Sequence, residues 1–481
     1  MLDYLDCSLT EIKELLDNGT ITSVELTRLC LQRINDTTNL NALISTTEEL
    51  ALQKATEVDA RRARGEKLGV LAGIPIVIKD IINLEGTRTT CASKFLENFV
   101  SPYTATCAQK LIDADAVIVG KANMDEFAMG SSNENSAFGA CLNPVNPEYV
   151  PGGSSGGSAC TVAAKQCFAS LGTDTGGSIR EPASFCGIVG LKPTYGRVSR
   201  YGVIAFASSC DQVGPMTRTV KDNAIMLNVL AGKDEKDMTS STNAVPDFTA
   251  DLDKGVQGLK IGLPKQFFNE NLTGEVREKL EQSIEKYKSL GAEFVEVDLP
   301  SLDTALAVYY ILTSAEATSN LSRFDGIKYG RRAEKYDGLI DLYFQSRTEG
   351  FGKEVKRRIM LGNYVLSSGY FDAFYRKAKK VQVVIKQEFD KAFKECDVIL
   401  SPTTGTTAFK IGEKSADPVA MYLTDIYTVP VNIAGIPAIS IPCGRDELGL
   451  PVGMQLMGKH FDESTLYRVA YAYEQATKEG K

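Results

Sequence analysis

Short apolar runs closed off by glycine or proline recur along this chain, at positions 74–78, 116–120, 259–263, 294–297, 397–400, 436–441 and 453–457. Each reads as a β-strand buried on both faces, the signature of a sheet with helices on either side. Between the runs at 259–263 and 294–297, Val276, Leu280, Ile284 and Tyr287 recur at helical spacing within 275–290. Strand, helix and strand in that order require a crossover and hence parallel pairing. The first forty residues read as two short amphipathic helices. Thr22 and Glu25 form a capping-box pattern at the start of the second, with Leu26, Leu29, Cys30 and Ile34 on one face. The expected organisation is a helical preface over about 1–65 and an α/β core over about 70–230. A polar linker at about 233–255 precedes a second group of strands and helices over about 256–481. The linker divides either two halves of one sheet or two domains. The charged segments 353–358 and 376–395 read as solvated outer helices.

Composition removes several function classes. The 481 residues carry 53 lysines and arginines against 61 acids, a formal charge of −8. That balance works against a broad nucleic-acid or anionic-membrane footprint. One histidine, His460, supplies no multi-histidine metal site and allows a Ser-His-Asp triad only if that residue is the base. Eleven scattered cysteines without a C-x-x-C pair point to reduced, mostly buried thiols and a cytoplasmic protein. The acidic start lacks the pattern of a secretory signal. The most apolar stretch, 427–443, contains Pro430, Pro437 and Pro442 and falls short of the roughly 20 residues that a membrane span needs.

The chemistry concentrates in two Gly/Ser loops, Pro-Gly-Gly-Ser-Ser-Gly-Gly-Ser at 151–158 and Gly-Thr-Asp-Thr-Gly-Gly-Ser-Ile-Arg at 172–180. Both are embedded in apolar sequence, the first running into a helix-compatible stretch at 159–169, so neither reads as a flexible linker. Neither has the lysine ending of a P-loop or the spacing of a dinucleotide fingerprint. Backbone N–H groups on a glycine-rich turn suit a developing oxyanion instead. Thr175, Gly176, Gly177 and Ser178 combine such donors with a hydroxyl nucleophile. A serine nucleophile needs a base, and Lys79 is the leading candidate: it closes the apolar run 73–78 and is flanked by Ile78, Ile81 and Ile82. Neutralising an ordinary lysine at pH 7 costs about 4.6 kcal/mol, much of which burial must supply.

The run Gly152 to Ser158, the run Asp174 to Arg180 and the upstream Lys79-Asp80 pair together resemble the amidase signature family. The resemblance implies one large α/β domain, spanning 1–481, with a mixed sheet of about eleven strands covered by helices on both faces. It further implies Lys79, Ser154 and Ser178 as a catalytic triad, with Ser154 in a cis peptide, and an oxyanion hole from the N–H groups of Thr175, Gly176, Gly177 and Ser178. Neutral Lys79 would take a proton through Ser154 from Ser178, which attacks an amide carbonyl.

Stretches outside the signature, including 122–130, 192–199, 316–326, 349–359 and 428–435, are similar to the glutamine-hydrolysing branch of that family. That likeness implies a glutaminase component of a heterotrimer with amidotransferase subunits B and C. No cofactor is implied on this chain. ATP and Mg are expected on the partner, which also holds most of the misacylated tRNA. Glutamine asks for a cation facing its α-carboxylate and an anion facing its α-amine. By family position these are Arg358 and Asp425, with Tyr309 alongside. The residues alone do not separate Arg357 from Arg358, and Asp425 also fits a helix cap. Glu181 departs from the family pattern, which usually shows glutamine there, and Lys165 with Gln166 interrupt an Ala/Gly-rich helix. A freestanding amidase for small or aliphatic amides is the alternative enzyme. A silent scaffold has no use for a lysine beside two serines, and a metallohydrolase lacks a ligand set.

Overall fold

The structure is a computed structural model and describes residues 3–268 and 272–478. Eleven strands form one sheet: β1 (Leu43–Thr46), β2 (Pro75–Lys79), β3 (Val117–Ala122), β4 (Ala169–Asp174), β5 (Val189–Lys192), β6 (Gln212–Thr217), β7 (Lys260–Pro264), β8 (Glu293–Val297), β9 (Val398–Pro402), β10 (Ala438–Arg445) and β11 (Pro451–Gly458). Their spatial order is β1-β3-β2-β4-β6-β5-β10-β11-β9-β7-β8. Pairing is parallel for β2 with β3 and β4, and for β7 with β8 and β9. It is antiparallel through the middle, where β4, β6, β5, β10 and β11 follow one another. The sheet is therefore mixed, and helices cover both faces. Along β2, Ile76 and Ile78 enter the main core while Val77 enters a separate cluster with Val117 and Val119, the alternation a strand imposes.

All seven expected strands form, and β7–helix Gly274–Ser289–β8 is the parallel crossover unit read from periodicity. Four strands escaped that reading: β1, β4, β5 and β6. Polar residues break the apolar signal in β4 and β6, where Ser170, Thr173, Asp174, Gln212 and Thr217 are buried. Their polar atoms find partners inside, as Ser170 Oγ does by donating to the Ser158 carbonyl at 2.8 Å. The run at 294–297 is not buried on both faces. As β8 it ends the sheet and is partly exposed, because an edge strand has a neighbour on one side only.

The first two helices are Leu9–Asp17 and Ser23–Asp36, the second opened by the Thr22–Glu25 capping box. Leu29 is 39% exposed, and Leu31 takes its place on the buried face with Leu26, Cys30 and Ile34. The N-terminal segment is not purely helical, since β1 pairs with β3 at the sheet edge. The polar stretch 233–255 contains no strand or α-helix and falls between the strands of the two halves of the sheet. It is anchored by buried Phe248 and Leu252. The helix after the first Gly/Ser loop is Gly156–Ala163, shorter than the helix-compatible stretch. Lys165 turns the chain with φ 60°, Ala169 already belongs to β4, and Lys165 with Gln166 lie beyond the helix rather than within it. The helix Lys353–Leu366 is not simply solvated: Glu354, Val355 and Arg358 are buried on its inner face. All eleven cysteines are free, and all but the half-buried Cys443 are buried. No helix among the described residues is long and apolar enough to cross a membrane.

Candidate active site

The parallel pair β2 and β4 carries its C-terminal ends to the same edge of the sheet. Lys79 is the last residue of β2, and the loop Thr175–Gly176–Gly177–Ser178 follows β4 directly. The loop 151–155 crosses beside them before entering the helix Gly156–Ala163. Lys79 Nζ lies 2.7 Å from Ser154 Oγ, 2.8 Å from Ser155 Oγ and 2.9 Å from Thr173 Oγ1. The Gly153–Ser154 peptide is cis. Ser155 also donates to the Thr173 carbonyl at 3.0 Å, and its own N–H donates to the Ser178 carbonyl at 3.2 Å. Sequence pattern did not single out Ser155 and Thr173, although both belong to the two Gly/Ser loops.

Lys79 and Ser154 are fully buried, whereas Ser178 retains 7% exposure. The amine is therefore sealed from solvent, and of the three groups only the Ser178 hydroxyl stays open to an approaching molecule. Burial lowers the Lys79 amine to about 7, partly opposed by the carboxylates of Asp125, Asp174 and Asp211. A lysine at that value is half neutral near pH 7, as a general base must be. Asp125 and Asp211 are themselves pushed up to about 6 by burial. Ser178 Oγ has no hydrogen-bond partner among the described residues, so the Ser154–Ser178 link is not closed in this structure.

A buried ion pair ties down the loop that carries Ser178. Arg180 Nε and Nη2 donate to the two oxygens of Asp174, each at 3.0 Å, and Arg180 Nη1 donates to the Thr428 carbonyl at 3.0 Å. Asn432 Nδ2 adds a donor to Asp174 at 2.9 Å. Burial pushes the Asp174 carboxyl up, but the Arg180 charge and hydrogen bonds outweigh it and hold the group at about 2. Asp174 also accepts from the Gly177 N–H at 2.9 Å. That N–H is thus satisfied inside the loop, while those of Thr175, Gly176 and Ser178 have no partner among the described residues. Close packing explains both glycines: a Cβ on Gly176 would lie 2.5 Å from the Tyr309 ring. One on Gly177, whose φ is 141°, would lie 2.3 Å from Thr428.

Tyr309 is buried with its ring on the loop at Gly176, and it meets Tyr310 edge-on at 5.1 Å between centroids. Arg358 is 3% exposed, whereas the Arg357 side chain is 46% exposed, which separates the two. The Arg358 guanidinium lies 4.4 Å from the Tyr310 ring and 4.8 Å from the Tyr422 ring, and its Nε donates to Glu354 at 2.6 Å. Its Nη1 is buried without a hydrogen-bond partner. Asp425 Oδ2 accepts from Ser131 at 2.9 Å and Tyr310 at 3.1 Å. Tyr310 thus bridges the cation and the anion, and Asp425 sits within the 3-10 turn Leu423–Asp425 instead of capping a helix by its side chain. Tyr310, Tyr422, Glu354 and Ser131 were missed from sequence. Glu354 had a legible signal, four residues before Arg358 on one helix face. His460 packs near Gly435, its Nε2 buried without a partner, and makes no hydrogen bond to the serines.

A buried lysine joined to a serine beside a second, glycine-flanked serine has the groups that a serine hydrolase centre with an amine in place of histidine would need. The amidase family model matches residues 25–467, and the chain belongs to that family. It is 54% identical over 478 residues to the A subunit of glutamyl-tRNA(Gln) amidotransferase from Thermoanaerobacter pseudethanolicus, covering 99% of this chain and 98% of that one. Its identity to the corresponding A subunit of Oceanobacillus iheyensis is 55% over 482 residues, covering 100% and 98%. Among solved structures, that of the Thermotoga maritima A subunit matches with a TM-score of 0.82 at 41% identity, covering 99% of this chain and 96% of that one. The peptide amidase of Stenotrophomonas maltophilia matches with a TM-score of 0.83 at 32% identity, covering 99% and 98%.

Proposed function

We propose that this chain is the glutaminase component of a tRNA-dependent amidotransferase, hydrolysing glutamine to supply ammonia for the conversion of glutamyl-tRNA(Gln) to glutaminyl-tRNA(Gln). The observation that carries glutamine over a simple amide is the buried, unpartnered Nη1 of Arg358, near an anion at Asp425 that shares Tyr310 with it. A donor left unpaired in the interior is costly until a ligand satisfies it, and a carboxylate suits a guanidinium best. Arg358 then holds the α-carboxylate, Asp425 the α-amine, and Tyr309 lines the path to the nucleophile loop. Near-full-length similarity to proteins named as amidotransferase A subunits supports the assignment to a complex.

In this reading neutral Lys79 takes the proton of Ser154 as Ser154 takes that of Ser178. Ser178 Oγ bonds to the carboxamide carbon, and the oxyanion gathers the free N–H groups of Thr175, Gly176 and Ser178. Gly177 contributes its backbone shape, because its N–H is committed to Asp174. The C–N bond breaks as the relay returns the proton to nitrogen, releasing ammonia and leaving a glutamyl ester. Water then attacks by the same relay and frees glutamate. The Ser154–Ser178 contact closes when substrate docks, as catalytic hydrogen bonds commonly do.

The chain needs no cofactor of its own for these steps. ATP and Mg act on the partner among subunits B and C, which also holds most of the tRNA, and the complex works in the cytoplasm. The whole chain serves as one catalytic domain, a reading supported by the continuous sheet.

Ammonia release from glutamine by the co-expressed complex tests the reading. Ser178→Ala abolishes it, and Arg358→Ala raises KM by about 10-fold to 150-fold with a smaller change in kcat, the loss of a charged hydrogen bond worth about 1.5–3 kcal/mol. Ser178-dependent cleavage of an aliphatic amide, with glutamine untouched, would instead establish a freestanding amidase.

A further inference from the structure

Glu181 directly follows Arg180 in the helix Arg180–Cys186, one turn after the nucleophile. It is fully buried, and neither carboxyl oxygen receives a hydrogen bond from any donor among the described residues. What it faces at hydrogen-bonding reach is another carboxyl, that of Asp425. Two acids in that contact require a proton between them. Asp425 already accepts from Ser131 and Tyr310, which favours its carboxylate form, so the proton resides on Glu181.

We propose that Glu181 is a positioning residue for the substrate's α-amine: it holds one proton against Asp425 and releases it when a cationic amine docks there. The inference rests on the glutamine reading of the same site. A glutamine at this position would present an amide donor that cannot ionise. Glutamic acid makes that donor removable. Once the proton leaves, the pair carries two negative charges facing the ammonium instead of one.

The surroundings set the balance. Burial drives the Glu181 carboxyl well above the usual range, Asp425 and the more distant Asp125 push the same way, and Lys414 opposes them. Asp425 is raised to about 6 by burial, against the hydrogen bonds from Ser131, Tyr310 and Glu181 and the charge of Arg358. An arriving ammonium joins Lys414 in favouring ionisation. Binding and proton loss are therefore linked, and affinity for an amine-bearing substrate rises with pH.

The test uses the full chain assembled with its partner subunits and carrying Ser178→Ala to prevent turnover. Glutamine binding is followed by calorimetry between about pH 6.5 and pH 8.5, in buffers of different ionisation enthalpy so that released protons are counted. The expected result is proton release with glutamine, and a Kd that tightens by up to about tenfold per pH unit. Adding Glu181→Gln removes that release and flattens the profile. Glutaric acid monoamide, which lacks the α-amine, elicits no such release even with Glu181 in place, an arm that needs no second substitution. Equal proton release and equal pH profiles with and without Glu181→Gln would assign the proton to another group, overturning the inference while leaving the glutaminase reading intact. Failure of the Ser178→Ala complex to bind glutamine, with the unsubstituted complex still cleaving an aliphatic amide, overturns both.

Discussion

Acidification should switch off acylation with a midpoint set by Lys79. In the proposed relay the active base is the neutral amine, and burial lowers it from 10.5 to about 7. Activity is therefore present above that value and lost below it. About half the molecules hold a neutral Lys79 at pH 7, about a tenth at pH 6 and about a hundredth at pH 5. An unperturbed lysine would be neutral in only about one molecule in 3,000 at pH 7, so burial raises the working base by roughly a thousandfold. The same shift corresponds to about 5 kcal/mol of penalty in the folded state. Between about pH 7 and pH 10.5 the unfolded chain binds the proton that the folded chain lacks, so the penalty shrinks as pH rises through that window and is fully present below it. The assay is single-turnover ammonia release at saturating glutamine, from about pH 5 to pH 9, at two temperatures. Amine ionisation carries a large enthalpy and carboxylate ionisation almost none, so warming moves a lysine midpoint to lower pH. The competing groups are Asp125 and Asp211, both pushed up to about 6. A midpoint that stays fixed on warming would assign the limb to a carboxylate and refute the argument, as would undiminished turnover at about pH 5.

Two further outcomes follow from the nucleophile loop. Asp174→Asn leaves the Arg180 guanidinium buried without its counter-charge, and chemical denaturation should report a loss of about 3–5 kcal/mol; a loss below about 1 kcal/mol would show that the pair does not hold the loop. Gly176→Ala places a Cβ 2.5 Å from the Tyr309 ring, an overpacking worth about 1–3 kcal/mol. Glutamine turnover should fall by about tenfold or more while circular dichroism stays native; unchanged kcat and KM would mean that the ring yields freely.

Fold class was legible because buried strands must be apolar wherever no polar partner awaits them. Residues 74–78, 116–120 and 436–441 meet that condition and read as strands at once. β4 and β6 do not, since Thr173, Asp174 and Gln212 are buried among partners supplied by distant segments. Pattern along the chain carries no record of such partners. The same divide runs through the site. Ser154 and Ser178 stand in Gly/Ser loops and Lys79 closes an apolar run, patterns visible along the chain, whereas Tyr310, Tyr422 and Ser131 are ordinary residues drawn into the site by what surrounds them.

Residue order alone settles the chemical inventory: a lysine closing an apolar strand, two Gly/Ser loops and a single histidine. Folding decided which atoms of that inventory meet. It buried Lys79 beyond the reach of water, which is what lowers its amine to about 7, and it spent the Gly177 N–H on Asp174 while leaving its neighbours free. It separated Arg358 from the adjacent, exposed Arg357, and it set Glu181 against Asp425 across more than two hundred residues of chain. Desolvation and hydrogen-bond partnership depend on packing in three dimensions, so a linear string of residues does not contain them.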